Sequence, residues 1–124
     1  MGFLQAFDSL LGDSVRLSRI LRTEMENRRH IYMYLVDDTW VSFQRSAYLL
    51  RRLCPSSTEA ALQVNGCPYP IVAAFVKSGT LKISSAHIDC RESGYRVRVY
   101  GTDLDTSGYG KWMEALTSEM SRLT

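Results

Sequence analysis

The residues best suited to metal or catalytic chemistry in this chain are its few histidines, cysteines and clustered acids. His87, Asp89 and Cys90 stand together in the stretch AHIDC, and imidazole, carboxylate and thiolate are all zinc ligands. On a strand His87 and Asp89 would share one face, while Cys90 would point to the other. The set would also need a distant ligand, and the sequence contains no HExxH and no CxxC pair. We therefore predict no metal site.

The loop GTDLDTSGYG carries acids at a spacing that partly matches a calcium-binding loop. That pattern needs oxygen ligands at positions 1, 3 and 5, Gly at position 6 and Glu at position 12. Counted from Asp103, Ser107 stands at position 5 and Gly108 at position 6. Position 12 is Glu114, which would lie inside the final helix. Turn and cap formation explain the same residues without a cation.

Nucleophilic catalysis is the other chemistry that the cysteines could perform. A reactive thiolate needs a stabilising neighbour and a third group that orients it. Cys67, in the loop NGCPYP, has no such partner in the sequence, and packing or simple exposure explains all three thiols. The sequence also lacks GxGxxG, P-loop and GxSxG motifs. We expect a non-catalytic protein with no catalytic residues and no cofactor.

Length and composition indicate the class of protein. A chain of 124 residues has the usual size of one domain, so we expect a single domain over 1–124. Three unpaired cysteines without a secretory signal are typical of a reduced, cytoplasmic protein. No apolar run approaches the ~20 residues that a membrane helix needs, so we expect no membrane contact.

Basic residues form the first of two candidate binding surfaces. Twelve of the fifteen basic residues are arginine, which makes planar, bidentate contacts to phosphate. Aromatic residues such as Tyr95 and Tyr100 are interleaved with them, and aromatic rings stack on the bases of single-stranded nucleic acid. A pI of 8.5 is below the guide value of about 9 for a nucleic-acid-binding domain, and an ordinary solvated face is the alternative. The candidate nucleic-acid contacts are Arg16, Arg19, Arg22, Lys82, Arg96 and Arg98.

The apolar stripe of the first predicted helix is the second candidate surface. Its side chains fall at helical spacing and therefore share one face. Such a stripe usually folds back on the core, but left exposed it would form a protein contact or a dimer seam. The candidate partner contacts are Phe3, Leu4, Phe7, Leu10 and Leu11. We expect a small binding protein that acts through protein–protein contacts or homodimerisation, with a nucleic-acid-binding module as the alternative.

The helices and strands that position these residues follow from apolar periodicity. Gly12 indicates the end of the first helix, and Asp13 or Ser14 indicates the cap of a second helix that extends to about residue 27. The apolar side of that helix is predicted to bury four residues and to leave its arginines in solvent. The four residues are Leu17, Ile20, Leu21 and Met25.

The stretch DDTWVSFQRSAYLLRRL, residues 37–53, contains both acids and arginines but is explained by structure. An apolar strand at 31–36 precedes it, and Asp37-Asp38 is predicted to form a tight turn. A partner strand at 39–44 and a helix from Arg45 follow, because the apolar spacing changes from two to three. The functional hypothesis remains only for Arg45, Arg51 and Arg52, which are predicted to lie on the solvent side of that helix.

The remainder of the protein is predicted to be mainly strand. Residues 56–64 could form a helix or a strand, whereas 80–85 and 95–99 alternate apolar and polar residues as half-buried strands do. A final helix follows Ser107. The sum is an α+β fold with a mainly antiparallel sheet of about five strands. N-terminal, middle and C-terminal helices are expected to pack on one side of the sheet and around its ends.

Residues 31–83 resemble part of the N-terminal mismatch-recognition domain of MutS-type DNA repair proteins. The matching stretches are IYMYLVDDTWVSFQRSAYLLRRL and GCPYPIVAAFVKSGTLKIS, which make up under half of the sequence. In that family an aromatic residue, any residue and then Glu read the mismatch, whereas this protein has Trp40-Val41-Ser42 and lacks the acid. The resemblance implies a similar fold fragment and favours nucleic acid slightly, but it does not imply mismatch recognition.

Overall fold

The computed structural model describes residues 2–64, 66–80, 87–92, 95–101 and 107–123. These ranges contain the helices α1 (Phe3–Gly12), α2 (Ser14–Glu26), α3 (Gln44–Leu53) and α4 (Tyr109–Leu123). They also contain the strands β1 (His30–Val36), β2 (Thr39–Phe43), β3 (Thr58–Leu62), β4 (Ile71–Lys77), β5 (His87–Glu92) and β6 (Tyr95–Gly101). The predicted strand with Lys82 and the loop acids Asp103 and Asp105 lie outside the described residues.

The two N-terminal helices form a helical hairpin at the predicted break. The side chain of Asp13 accepts a hydrogen bond from Arg16 N at 3.1 Å and so caps α2. Phe7 and Leu10 of α1 are buried. The ring of Phe7 stacks on that of Phe43 with centroids 6.3 Å apart, so α1 folds back on the sheet.

Residues 37–53 form the turn, strand and helix that the sequence predicts. Asp37 takes a φ of 56° in the turn, a conformation that short acidic side chains tolerate. Lys77 Nζ lies 3.0 Å from Asp38 Oδ2 and ties the turn to the end of β4. The interpretation of the two acids as turn residues fits this geometry.

The junction between β2 and α3 turns sharply at Gln44. Its φ of 52° is uncommon for a residue other than glycine. The side-chain Oε1 of Gln44 accepts a hydrogen bond from Val72 N at 2.9 Å, one position beyond the backbone pair Phe43–Ala73. The side chain therefore extends the β2–β4 pairing by one residue, while the backbone leaves the sheet to begin α3.

The six described strands belong to one antiparallel sheet with the order β3-β4-β2-β1-β6-β5. The α+β class and the mainly antiparallel sheet with N-terminal, middle and C-terminal helices are confirmed. The ambiguous stretch 56–64 contains strand β3, which occupies one edge of the sheet, and β5 occupies the other edge. Within the described ranges, no helix is long and apolar enough to cross a membrane.

Helices cover both faces of this sheet, which differs from the expectation of helices on one side. On β1, Tyr34 and Val36 pack in the core formed with α1 and α2. The alternating residues Ile31 and Met33 pack in the core formed with α3 and α4. Since β1 is apolar on both faces, each face needs a helical layer to exclude water from it.

The prediction that Met25 is buried in α2 is wrong. Met25 is 69% exposed, whereas the neighbouring Glu24 is only 2% exposed. With Leu17, Ile20 and Leu21 in the buried stripe, position 24 lies near the centre of the stripe and position 25 at its edge. Hydrogen bonds to the carboxylate, described below, permit the acid to occupy that position.

Candidate functional site

A groove with a volume of about 720 Å3 lies between the α1–α2 hairpin and the loop that joins β3 to β4. Leucines of both helices form one wall, and the loop forms the other. Two of its lining residues are exposed large side chains, since Met25 is 69% and Tyr69 is 39% exposed. The main apolar lining residues are Leu11, Leu21, Met25, Val64, Cys67 and Tyr69.

Hydrogen bonds within the loop give its wall a defined shape. Cys67 N donates to Val64 O at 3.0 Å, and Gly66 adopts the positive φ of 88° that this turn requires. The Cys67 thiol donates to Tyr69 O at 3.2 Å. Cys67 is therefore half-buried in the groove wall, and its thiol is hydrogen-bonded.

A smaller cavity of about 190 Å3 adjoins one end of the groove. The two spaces share Leu21, Met25 and Tyr69 in their linings. The cavity adds polar and charged side chains from three helices to the apolar groove. These additional lining residues are Glu24 of α2, Gln44 and Arg45 of α3, and Tyr109 of α4.

Glu24 forms the wall of this cavity through a buried hydrogen-bond network. Its Oε1 accepts from Ser46 N at 2.7 Å, and its Oε2 accepts from Ser46 Oγ at 2.5 Å. Asn27 Nδ2 lies 3.3 Å from Oε1, and it also donates to His30 O at 2.6 Å. Tyr32 N donates to Ser46 Oγ at 2.9 Å. The network joins α2, β1 and α3, and Ser46 is fully buried within it.

Burial controls the protonation of the groups around the cavity. Removal from water raises the pKa of Glu24 to about 7, although hydrogen bonds from Ser46 and Asn27 and the charge of Arg45 act in the opposite direction. Burial and the nearby Glu24 charge raise the pKa of Tyr109 to about 12. Tyr109 therefore keeps its hydroxyl proton at neutral pH and remains a hydrogen-bond donor.

Arg45 is fixed at the cavity by one edge of its guanidinium group. Nη1 donates to Met25 O at 2.7 Å and lies 3.3 Å from Asn27 O and 3.4 Å from Glu24 O. The guanidinium carbon lies 5.9 Å from the centroid of the Tyr109 ring. The carbonyls at the end of α2 attract a cation, so Arg45 is held in place by the helix end.

The five predicted nucleic-acid contacts that the structure describes do not form one surface. Arg19 and Arg22 are exposed on α2, and Arg16 is half-buried with its Nε 3.9 Å from Asp13 Oδ2. Arg96 and Arg98 belong to β6, on the sheet face that α3 and α4 cover, where Arg98 lies 5.1 Å from the centroid of the Trp40 ring. The two groups of arginines are therefore separated by the sheet.

The predicted partner contacts are mostly internal. Phe7 and Leu10 are buried in the core of this domain. Phe3 and Leu11 pack against the same core, because the apolar stripe of α1 covers the sheet. Leu4 alone among these five residues is exposed, at 75%.

The arginines of α3 are closer to aromatic rings than the sequence indicates. Arg51 is half-buried, 4.9 Å from the centroid of the Tyr48 ring and 5.7 Å from that of Trp112. Arg52 is exposed at 5.9 Å from the same Tyr48 ring. The prediction of a fully solvated arginine face therefore holds for Arg52 but not for Arg45 or Arg51, since α4 packs beside them.

Sequence reasoning missed Glu24, Asn27 and Ser46 as members of a polar network. Helical spacing alone could have indicated Glu24, because position 24 continues the stripe of Leu17 and Leu21. Within the part of the protein that the structure describes, no group of three His, Cys, Asp or Glu residues could hold a metal ion. Comparisons with protein-family models, curated proteins and solved structures find no match for this protein.

Proposed function

We propose that this protein is a protein-binding module that holds an apolar, acidic segment of a partner protein in the groove between α1–α2 and the β3–β4 loop. The observation that supports this most strongly is the exposure of Met25 and Tyr69 beside a groove of about 720 Å3. Flexible Met and amphipathic Tyr side chains are typical of surfaces that bind other proteins.

The charge around the groove favours an acidic segment. Arg22 lines the groove and is exposed, and Arg45 lines the adjoining cavity. Among the described lining residues of both spaces, Glu24 is the one acid, and its oxygens already accept hydrogen bonds from Ser46 and Asn27. An acidic segment would therefore meet a complementary potential, which favours its encounter and orientation.

This proposal keeps the expected protein–protein function but moves its surface. The stripe of α1 is occupied by the core of its own domain, so the groove replaces it as the candidate contact. A second copy of this protein is one possible occupant, which the test below separates from a different partner. The arginines of α2 and β6 lie on opposite sides of the sheet, which gives the nucleic-acid alternative no continuous surface.

Selection of random 12-residue peptides displayed on phage, with the full-length protein immobilised, tests the proposal. We expect the enriched peptides to combine large apolar residues with Asp or Glu. Met25→Glu should weaken their binding at least tenfold, because it places a charge in the groove and repels the acidic segment. Leu4→Glu is the matched control, since Leu4 is similarly exposed but lies outside the groove lining; it should leave binding unchanged.

Equal binding of the enriched peptides to both variants, or no enrichment at all, would overturn the proposal. Size-exclusion chromatography with light scattering separates the remaining possibility. A dimer that Met25→Glu dissociates and Leu4→Glu does not would identify a second copy as the occupant of the groove, in place of a different partner.

A further inference from the structure

The small cavity, like the groove it adjoins, has a largely apolar lining. Its lining also includes Arg45, Tyr69 and Tyr109, which carry a guanidinium group and two phenol groups. Both tyrosines line this one cavity together with Arg45. A site with a cation and hydroxyl donors is suited to an anion.

Arg45 retains binding capacity that its internal contacts do not use. All three hydrogen bonds of its guanidinium group leave from Nη1. Among the described residues, Nε and Nη2 have no hydrogen-bond partner, and neither is among the atoms buried without one. Arg45 is half-buried and lines the cavity, and the edge of a guanidinium group that Nε and Nη2 form matches the two oxygens of a carboxylate.

We infer that this cavity is a carboxylate-binding subsite, in which Arg45 receives an acidic group of the segment bound in the groove. The inference rests on the proposed function for the identity of the bound molecule, but the subsite can be tested without it. The carboxylate would come from an Asp or Glu residue or from the C-terminus of a polypeptide. Both have the same chemistry, and the size of the cavity, about 190 Å3, admits either.

Glu24 does not prevent anion binding in the cavity. Its two oxygens are directed to Ser46 and Asn27 and accept their hydrogen bonds. Burial raises its pKa to about 7, so Glu24 is partly protonated at neutral pH. The positive charge of Arg45 is therefore only partly compensated by this acid, and it remains available to an incoming carboxylate.

Titration of the full-length protein with three small probes, followed by NMR, tests the subsite. N-acetyl-leucine carries a terminal carboxylate, N-acetyl-glutamic acid α-amide carries a side-chain carboxylate, and N-acetyl-leucinamide carries none. The signal to follow is the Nε–Hε resonance of Arg45, assigned by its loss in Arg45→Lys. We expect saturable, millimolar binding of at least one acid and at least tenfold weaker binding of the amide.

The variants separate a fixed site from general attraction to positive charge. Arg45→Lys keeps the charge and a donor for Met25 O but loses the bidentate edge, so it should weaken binding of the acid about tenfold. Arg52→Lys, an exposed position of the same helix outside the cavity, should have no effect. The acid that binds more tightly identifies the source of the carboxylate, either an acidic residue or a polypeptide terminus.

Equal binding of the acids and the amide, or equal weakening by both variants, would overturn the subsite. If Arg45→Lys does not fold, the comparison of acid and amide on the wild-type protein still decides the question. Loss of the subsite with retained Met25-dependent peptide binding would leave the groove proposal intact. Loss of peptide binding with retained acid binding would overturn the groove proposal alone.

Discussion

Ser46, in the first turn of α3, donates two hydrogen bonds to the Glu24 carboxylate, from its backbone N at 2.7 Å and from Oγ at 2.5 Å. Phe43 precedes α3, and its apolar ring does not cap the helix. The carboxylate of Glu24, which belongs to the neighbouring helix α2, caps α3 instead. It also compensates the positive end of the α3 dipole. Glu24 also lines the cavity of the proposed carboxylate subsite.

The raised pKa of Glu24 predicts a specific dependence of stability on pH. Its pKa is about 7 in the folded protein and 4.5 in the unfolded reference, so the folded state holds the proton more tightly. The resulting stability is fully present below about pH 4.5 and is lost as pH rises through 7. A difference of about 2.5 units corresponds to roughly 3 kcal/mol.

Urea unfolding at several values between pH 4.5 and 8.5 measures this dependence. Glu24→Gln is the control, because glutamine does not titrate and its amide can donate a hydrogen bond to Ser46 Oγ, as a protonated Glu24 can. The Ser46 hydroxyl can then donate to His30 O, which lies 3.4 Å from Oγ. We expect the free energy of unfolding of the wild-type protein to fall relative to this variant as pH rises. Parallel pH profiles of the two proteins would show that Glu24 does not titrate in this range.

Ser46→Ala is expected to destabilise the protein by about 3 kcal/mol. The hydroxyl donates a hydrogen bond to Glu24 and accepts one from Tyr32 N. Its removal leaves these buried polar groups without that partner. Ser42→Ala is the matched control, since Ser42 is equally buried but makes a single hydrogen bond, to Tyr32 O at 3.0 Å. That substitution should cost only about 1 kcal/mol. Equal losses in urea unfolding would contradict the network described for Ser46.

Gly108→Ala is expected to destabilise the contact between α4 and α3 by about 1–3 kcal/mol. A Cβ atom at this position would overlap the hydroxyl of Tyr48, and crowding of this kind is costly in a packed site. Gly110→Ala, two residues further on, meets no atom within 4 Å. It should be neutral or slightly stabilising, because Ala favours the helix.

The double variant Tyr48→Phe with Gly108→Ala tests the cause of that loss. Without the hydroxyl, the nearest atom of residue 48 is Cζ, at 3.3 Å from the new Cβ, so most of the overlap is removed. Thermal unfolding should show that Gly108→Ala costs less in the Tyr48→Phe background than in the wild-type protein. An identical cost in both backgrounds would assign the effect to the backbone of residue 108.

The fold class could be predicted because apolar periodicity is a local property. The alternation around Val97 and the apolar run from Ile31 each indicate strands without knowledge of the rest of the sequence. The number of helical layers could not be read in this way. It depends on which face of each strand meets which helix, and this is a relationship between distant segments.

The cavity could not be predicted from the sequence for the same reason. Arg45 and Glu24 are separated by 21 positions and meet only because α2 ends beside the beginning of α3. Met25 follows Leu21 at helical spacing and is therefore predicted to be buried, whereas Glu24 lies nearer the centre of the buried stripe. The acid is tolerated because Ser46 and Asn27 supply hydrogen bonds that the sequence alone does not reveal.

Phe7 and Leu4 separate the folding role of α1 from its expected role in partner binding. The ring of Phe7 stacks on Phe3 at 5.5 Å and meets Phe75 edge-on at 5.3 Å between centroids. Phe7→Ala should therefore cost about 3–5 kcal/mol through lost burial and the cavity that it leaves. Leu4→Ala should cost under about 0.5 kcal/mol, since Leu4 is 75% exposed.

Urea unfolding of both variants at a low and a high protein concentration measures these effects. A loss of stability for Leu4→Ala at high concentration alone would place Leu4 in a contact between copies, and α1 would then serve both the core and a partner.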